Sequence, residues 1–349
     1  MNERIRVGIV GAGFGVKAHL PALLAHPRFE VVALASPSSA ARIAEERNIP
    51  QAFKSCADMV RNAGLEAVIV ASPPFAHRDD VLAALEAHKH VLAEKPFALS
   101  VAEAEEMLEA SRQAATICGV SHEFRWVPAN QAIKELILNG HLDPLRNIEI
   151  TQLTHTLRRE GTRERSWWFE RARGGGIGGA LLSHVIDMSN WLANRPPKSS
   201  TGLLRTANPE RKDEHGAFSS DVDDGAFALL DYTAGLVSRL SVDATTSVES
   251  FTLAAHAENR TAVASGQNIT DTTLYSVDGE ETAELQLKPS PYQRFASVQS
   301  NAPYLMELYD AFVAAIDEKP NPPGSATALP SFTEAVATQK VLATVGYGS

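Results

Sequence analysis

From residue 5 to about 122, short apolar runs alternate with stretches of helical periodicity, the pattern of parallel strands joined by crossover helices. Strands are predicted at 5–10 (IRVGIV), 30–36 (EVVALAS), 51–53 (QAF), 66–72 (EAVIVAS), 90–95 (HVLAEK) and 116–121 (TICGVS), with helices near 17–26, 38–47, 55–62, 77–88 and 100–114. Two helices open on capping boxes, SCAD at Ser55 and SVAE at Ser100, where a hydroxyl and an acid three residues on satisfy free helix amides. Six strands in this rhythm predict a doubly wound parallel sheet.

After residue 122 the rhythm changes. A helix is predicted at 128–139, then strand-like runs NIEITQLTHT, TGLLRTA, GAFALLDY, LVSRLSVDA, FTLAAHA, TAVASG, TLYSV and AELQL. Turns such as TAG at 233–235, ENR at 258–260 and DGE at 278–280 join several of them in hairpin fashion. Helices at about 303–317 and 331–345, separated by KPNPPGSA, close the chain. The expected fold is therefore α/β, a doubly wound domain over 1–122 followed by an α+β domain over 123–349 with a large, mainly antiparallel open sheet.

Composition narrows the classes of function. The 349 residues exceed what one hydrophobic core usually serves, so two domains are natural. A formal net charge of −10 works against a phosphate-backbone partner, so nucleic acid is excluded as an expectation. Two cysteines, Cys56 and Cys118, make neither a disulfide scaffold nor a metal-ligand spacing. No stretch of 18 apolar residues and no signal-peptide core are seen, so the expectation is a cytoplasmic protein without membrane or metal.

IVGAGFGVKAH follows the first strand and opens the first helix, the setting in which a glycine-rich turn cradles a dinucleotide. Gly11 permits the turn, Gly13 lets backbone approach a pyrophosphate, and Phe14 and Gly15 complete the loop, with Val16 where a third glycine is usual. A Rossmann domain is expected. The second strand ends in ASPSSAAR, with Ser36, Ser38, Ser39 and Arg42 and no acid for a ribose diol. Hydroxyls and a cation suit a 2′-phosphate, which favours NADP over NAD; alternatively these serines only cap the second helix.

With AEKPF at 93–97 the chain resembles the glucose-fructose oxidoreductase / inositol dehydrogenase / rhizopine-catabolism (Gfo/Idh/MocA) family. GAGFG, ASPPFAH at 71–77, EKP at 94–96, HEFRWVP at 122–128, NGHLDPLRNIEI at 139–150 and GGGIGGALLSHVID at 174–187 stand in the family's order. The resemblance implies a nicotinamide cofactor, NAD(P), and gives Lys95 the role of hydrogen-bonding the reacting hydroxyl. Removal of hydride from an alcohol carbon also requires removal of a proton, which an amine can accept. Pro96 is a candidate for a cis bond. Glu94 anchors either Lys95 or the backbone. Ser72, Pro73 and Pro74 are expected to border the cofactor; His77 either joins them or begins the next helix. Arg125 pairs with a carboxylate such as Glu94 or with the cofactor, or else makes a structural ion pair, and His122 reads as a structural histidine.

In GGGIGGALLSHVID, a helix starting near Gly179 would place Ala180, His184, Asp187 and Trp191 on one face. The resemblance implies that His184 assists Lys95 or binds the substrate hydroxyl. A relative's acid one turn earlier is Ala180 here, which leaves the substrate class open. Asp187 is placed near the substrate, or fixes the helix or the imidazole. The glycines are expected to let backbone pass close to cofactor and substrate. In the arginine-rich HTLRREGTRERSWWFERAR, Trp167 and Trp168 pin a solvated loop, or Arg158, Arg163 or Arg165 reaches an anionic or hydroxylated substrate; Trp167 is the candidate substrate contact.

The leading expectation is an NAD(P)-dependent oxidoreductase acting on a sugar, a polyol or a related hydroxy/keto compound, a homodimer or homotetramer through its second sheet. The rivals are a glycosidase that uses transient oxidation and a catalytically silent NAD(P)-sensing regulator.

Overall fold

The computed structural model describes residues 3–158 and 164–348. They form two units. The first comprises 1–123, 290–323 and 327–336, and the second 124–289, 324–326 and 337–349.

The first unit is built on β1 (Ile5–Val10), β2 (Phe29–Ala35), β3 (Gln51–Phe53), β4 (Ala67–Val70), β5 (His90–Ala93) and β6 (Cys118–Val120), all parallel in the order β3-β2-β1-β4-β5-β6. Between them run α1 (Leu20–Ala25), α2 (Ala40–Arg47), α3 (Cys56–Asn62), α4 (Pro74–Glu86) and α5 (Val101–Ala114). The strands are apolar almost throughout because helices cover both faces. Both capping boxes form: Ser55 Oγ accepts the Asp58 amide and Ser100 Oγ the Glu103 amide. The order reverses between β1 and β4, the place where open sheets of this kind bind ligands.

The second unit carries α6 (Pro128–Leu138), β7 (Leu145–Leu153), α7 (Ser183–Ala193) and then β8 (Ser199–Arg205), β9 (Glu210–Asp213), β10 (Gly216–Ser219), β11 (Gly225–Asp231), β12 (Val237–Asp243), β13 (Ser250–Ala257), β14 (Thr261–Asn268), β15 (Asp271–Asp278) and β16 (Glu281–Leu285). Eight of these strands make one sheet, β16-β15-β14-β13-β7-β12-β11-β8, antiparallel except for β7 with β12. Helices α6 and α7 pack on it. The β9–β10 hairpin stands apart as a sheet of two. It was not foreseen, because ERKD and EHGAFS show no run of apolar alternation.

The last two helices are α8 (Ala302–Ile316) and α9 (Phe332–Thr344). The single second domain expected over 123–349 is interrupted, since 290–323 and 327–336 belong to the first unit. The cause is apolar: α8 is buried nearly all round, packs on α1, and inserts Tyr309 against Phe29 and His26. Phe332 likewise meets Phe97 at 4.5 Å between ring centres.

Candidate active site

At the end of β1 the chain turns through Gly11, whose φ of +106° and near approach to Ala71 both require glycine. An added Cβ would stand 2.2 Å from the Ala71 carbonyl oxygen. The Gly11 amide donates to Ala35 O at 2.9 Å and the Ala71 amide to Val10 O at 2.8 Å, tying the turn to β2 and β4. Gly15 packs on Ile9, whereas a Cβ on Gly13 would meet nothing within 4 Å. Gly13 thus leaves open space over exposed backbone at the switch point. This is the space a pyrophosphate needs, so the loop fits a dinucleotide. The turn that follows, Gly15–His19, is wound wide as a π-helix, and the Phe14 ring meets His19 edge-on at 5.5 Å.

At the end of β2, Ser36 Oγ lies 2.9 Å from Ser39 Oγ. Ser39 stands at the start of α2 without bonding a helix amide through its side chain, so capping does not account for these serines. Ser38 and Arg42 are exposed, with Arg42 Nη1 on Glu46 at 2.7 Å.

Beyond β4, the Ser72 hydroxyl donates to Asp80 Oδ2 at 2.6 Å, and burial pushes the Asp80 carboxyl up to about 6 despite that bond. The His77 ring is fully enclosed, with Nε2 2.7 Å from Ser72 O and Nδ1 3.0 Å from Pro96 O. Burial lowers its pKa, favouring the neutral ring, which donates to one carbonyl at a time. His77 therefore ties the end of β4 to the EKP segment. It lies inside α4, which begins at Pro74 with Pro73 before it.

Glu94 and Lys95 follow β5, and the Lys95–Pro96 bond is cis. Glu94 Oε1 accepts from His19 Nε2 at 2.9 Å and Oε2 from the Lys95 amide at 3.2 Å. Burial would raise the Glu94 pKa, but the His19 bond and charge, then Lys95 and Ser121, hold it below the usual carboxylate value. His19 Nδ1 in turn lies 2.7 Å from the Tyr309 hydroxyl, which extends the chain of buried hydrogen bonds. Tyr309 stays a phenol because burial, with the charges of Glu94 and Glu123, raises its pKa far above normal. Glu94 thus anchors both the Lys95 backbone and a buried chain reaching α8. His19 and Tyr309 were missed in the sequence because nothing local links residues 290 positions apart.

In the second unit the glycine run does not begin a regular helix. Gly178–Leu182 is a second π-helical turn, and α7 starts only at Ser183, which changes the spacing expected between Ala180 and His184. The glycines meet the protein's own atoms. An added Cβ would reach Trp168 O at 2.1 Å from Gly175, Asp223 Oδ1 at 2.5 Å from Gly176, and the Tyr347 ring at 2.7 Å from Gly179. The Gly178 amide donates to Asp223 Oδ2 at 2.5 Å, and the Ile177 amide to Asp223 O at 3.1 Å. The run is the space into which Asp223 locks the start of α7. Burial pushes the Asp223 carboxyl up to about 6 against the pull of these amides.

His184 is 3% exposed, its ring 4.3 Å from that of Phe124. Arg125 pairs with Asp187: Nε and Nη2 donate to the two carboxylate oxygens at 2.8 and 2.6 Å, with both side chains 1% exposed. This buried fork fixes Asp187 on α7, one turn from His184, and makes Arg125 the partner in a structural ion pair. Trp168 is buried against Phe169, while Trp167 is half-buried. Arg165 lies over Phe218 and its amide donates to Asp213; Arg158 is exposed, and Arg163 lies outside the described residues.

Comparison with known proteins agrees with these features. A family profile described as oxidoreductase family, NAD-binding Rossmann fold, matches residues 5–122, and the GFO/IDH/MocA C-terminal domain matches 130–264. An uncharacterized oxidoreductase of Synechocystis sp. is 35% identical over 214 residues, 61% of this chain and 57% of the relative, so the chain matches little more than half of that protein's length. Levoglucosan dehydrogenase of Pseudarthrobacter phenanthrenivorans is 27% identical over 70% of this chain and 68% of its own, and 1,5-anhydro-D-fructose reductase of Ensifer adhaerens 26% over 82% and 84%. A solved levoglucosan dehydrogenase in complex with NADH and levoglucosan superposes with a TM-score of 0.82, covering 98% of this chain and 96% of that one, at 21% identity. The chain belongs to the Gfo/Idh/MocA family of nicotinamide-dependent oxidoreductases.

Proposed function

We propose that the chain transfers hydride between NAD(P) and a sugar, polyol or related hydroxy/keto compound, with Lys95 as proton relay and His184 as its partner. The observation that carries this reading is Lys95 itself. It ends a strand beside the switch point, its backbone held by Glu94, and Glu94 is in turn held by His19. Gly11, Gly13, Phe14 and Gly15 would hold the pyrophosphate, with Pro73 and Pro74 opening the helix that follows the neighbouring strand. Ser36, Ser38 and Arg42 would take the ribose, with NADP preferred. When bound, the nicotinamide supplies the hydride acceptor or donor; Lys95 takes the hydroxyl proton in one direction and returns it in the other. Levoglucosan dehydrogenase and 1,5-anhydro-D-fructose reductase are named for carbohydrate substrates. Trp167, half-buried, is the aromatic surface offered to such a ring.

The second unit's sheet supports a homo-oligomer. Leu203 lies opposite Phe227, and Leu229 shares that face; the two leucines are 53% and 45% exposed. We place a homodimer or homotetramer interface there and the protein in the cytoplasm. A cofactor-linked screen of sugars, sugar acids and inositols with NAD and NADP tests the activity. Release of an aglycone without net reduction of cofactor would mark a glycosidase, and nucleotide binding without any turnover a regulator.

A further inference from the structure

The β9–β10 hairpin stands outside the eight-stranded sheet, and two strands alone are only marginally stable in water, so its packing partner is part of its fold. Its buried positions are Arg211 and Phe218, which face each other across the hairpin. Both meet Phe169. The Phe169 and Phe218 rings stand edge to face at 5.1 Å between centres, and the Arg211 guanidinium lies 5.4 Å from the centre of the Phe169 ring. Phe218 also takes Arg165, whose guanidinium lies 5.8 Å from its centre. An aromatic pair with a cation at each end results. Hydrogen bonds continue the contact: the Arg165 amide donates to Asp213 Oδ2 at 3.1 Å, Ser220 Oγ to Phe169 O at 3.3 Å and the Arg171 amide to Asp221 Oδ1 at 2.8 Å. Trp167 lies between these anchors on a single helical turn, Trp167–Phe169, closed by the Phe169 amide on Ser166 O and the Glu170 amide on Trp167 O, each at 3.0 Å. Arg165, two residues before the indole, and Phe169, two residues after it, both lean on Phe218. A half-buried indole whose backbone is fixed on both sides offers a flat surface that needs no further ordering. Such a surface suits the C–H face of a ring, whereas an open-chain polyol must freeze several torsions to cover it.

We propose that Phe218 is a positioning residue for the substrate: through Arg165 and Phe169 it holds the Trp167 indole as a rigid platform, and that platform selects a cyclic sugar over an open-chain polyol. Phe218 itself meets no substrate in this scheme and acts only through Trp167. The inference rests on the oxidoreductase reading above, in which Trp167 is the surface offered to the substrate.

Fluorine NMR of the full chain carrying 5-fluorotryptophan reads the platform without a substrate. The chain has four tryptophans, and the Trp167 resonance is the one lost in Trp167→Phe. Phe218→Ala should move that resonance while those of Trp126 and Trp191 stay in place, and Phe218→Tyr should restore it. A Trp167 resonance unmoved by Phe218→Ala overturns the proposal. Kinetics on cyclic sugars and their open-chain alditols read the consequence. Stacking holds substrate and transition state alike, so Phe218→Ala should raise KM for a cyclic sugar about tenfold with kcat and NAD(P)H affinity kept. In a Trp167→Ala background the same change should add nothing, because the two residues act as one unit. Additive effects, an unchanged KM, or a parent that prefers alditols overturn the proposal. Phe218→Leu, which keeps bulk without the ring, carries the same test if Phe218→Ala does not fold. Failure of the oxidoreductase reading would look different: no carbohydrate turned over by the parent, which removes the substrate role together with that reading.

Discussion

The Asp223 carboxylate occupies the place a side chain on Gly176 would need, with Oδ1 2.5 Å from the position of an added Cβ and the backbone there at φ +99°. Gly176→Ala should therefore cost about 1–3 kcal/mol for the left-handed backbone alone, and more for displacing Asp223. Gly13→Ala should behave in the opposite way. Its Cβ meets nothing in the protein, so the melting temperature should hold while the dissociation constant for NAD(P)H rises about tenfold or more. Calorimetry and nucleotide titration on the two variants check the pair; equal loss of stability in both would contradict the division between a packing loop and a binding loop.

Asp223 also sets a pH dependence. Its carboxyl is raised from 3.8 to about 6 in the folded protein. The native state thus binds the proton more tightly than the unfolded chain, and the associated stability is complete below pH 4 and lost as pH rises to 6. The full span is roughly 3 kcal/mol. Asp223→Asn, which keeps an acceptor for the Gly178 amide, should flatten this part of the stability curve. Denaturant unfolding of both proteins at pH 4, 5, 6 and 7 reads the difference, and parallel curves would remove Asp223 as the cause.

Removing one side of the Arg125–Asp187 fork leaves a buried charge without its counter-charge. Asp187→Ala should lower stability by about 3–5 kcal/mol, and the double replacement Arg125→Met with Asp187→Leu should recover much of it. Chemical denaturation of the single and double variants tests this; a single variant within about 0.5 kcal/mol of the parent would show the pair to be energetically idle.

The proposed preference for NADP hangs on Arg42. Its exposed bond to Glu46 is worth little in water, so the guanidinium is available to a 2′-phosphate. Arg42→Ala should weaken NADPH about tenfold and leave NADH unchanged. Equal affinities of the parent for the two cofactors would refute the reading of Ser36 to Arg42.

Legibility from the sequence followed the range of the interactions. Strand β1 at 5–10, the two capping boxes and helices α8 and α9 were readable because period, hydroxyls and acids are local signals. The glycine loop after β1 was readable for the same reason. The second glycine run was visible, but its cause was not: Asp223 lies 45 residues on, and no spacing rule joins it to Gly178. Arg125 was recognised as needing a carboxylate, yet its pairing with Asp187 depends on a contact across 62 residues. The wide turns at Gly15–His19 and Gly178–Leu182 insert a residue into helical spacing, which periodicity cannot register.

The most direct test of the central claim is the absorbance of the nicotinamide during a screen of sugars, sugar acids and inositols with each cofactor, run on the parent and on Lys95→Ala. Stoichiometric cofactor reduction is expected with at least one carbohydrate, faster with NADP, with a loss of turnover of about a hundredfold or more in Lys95→Ala and nucleotide affinity retained. Tight nucleotide binding with no absorbance change in either protein would contradict it.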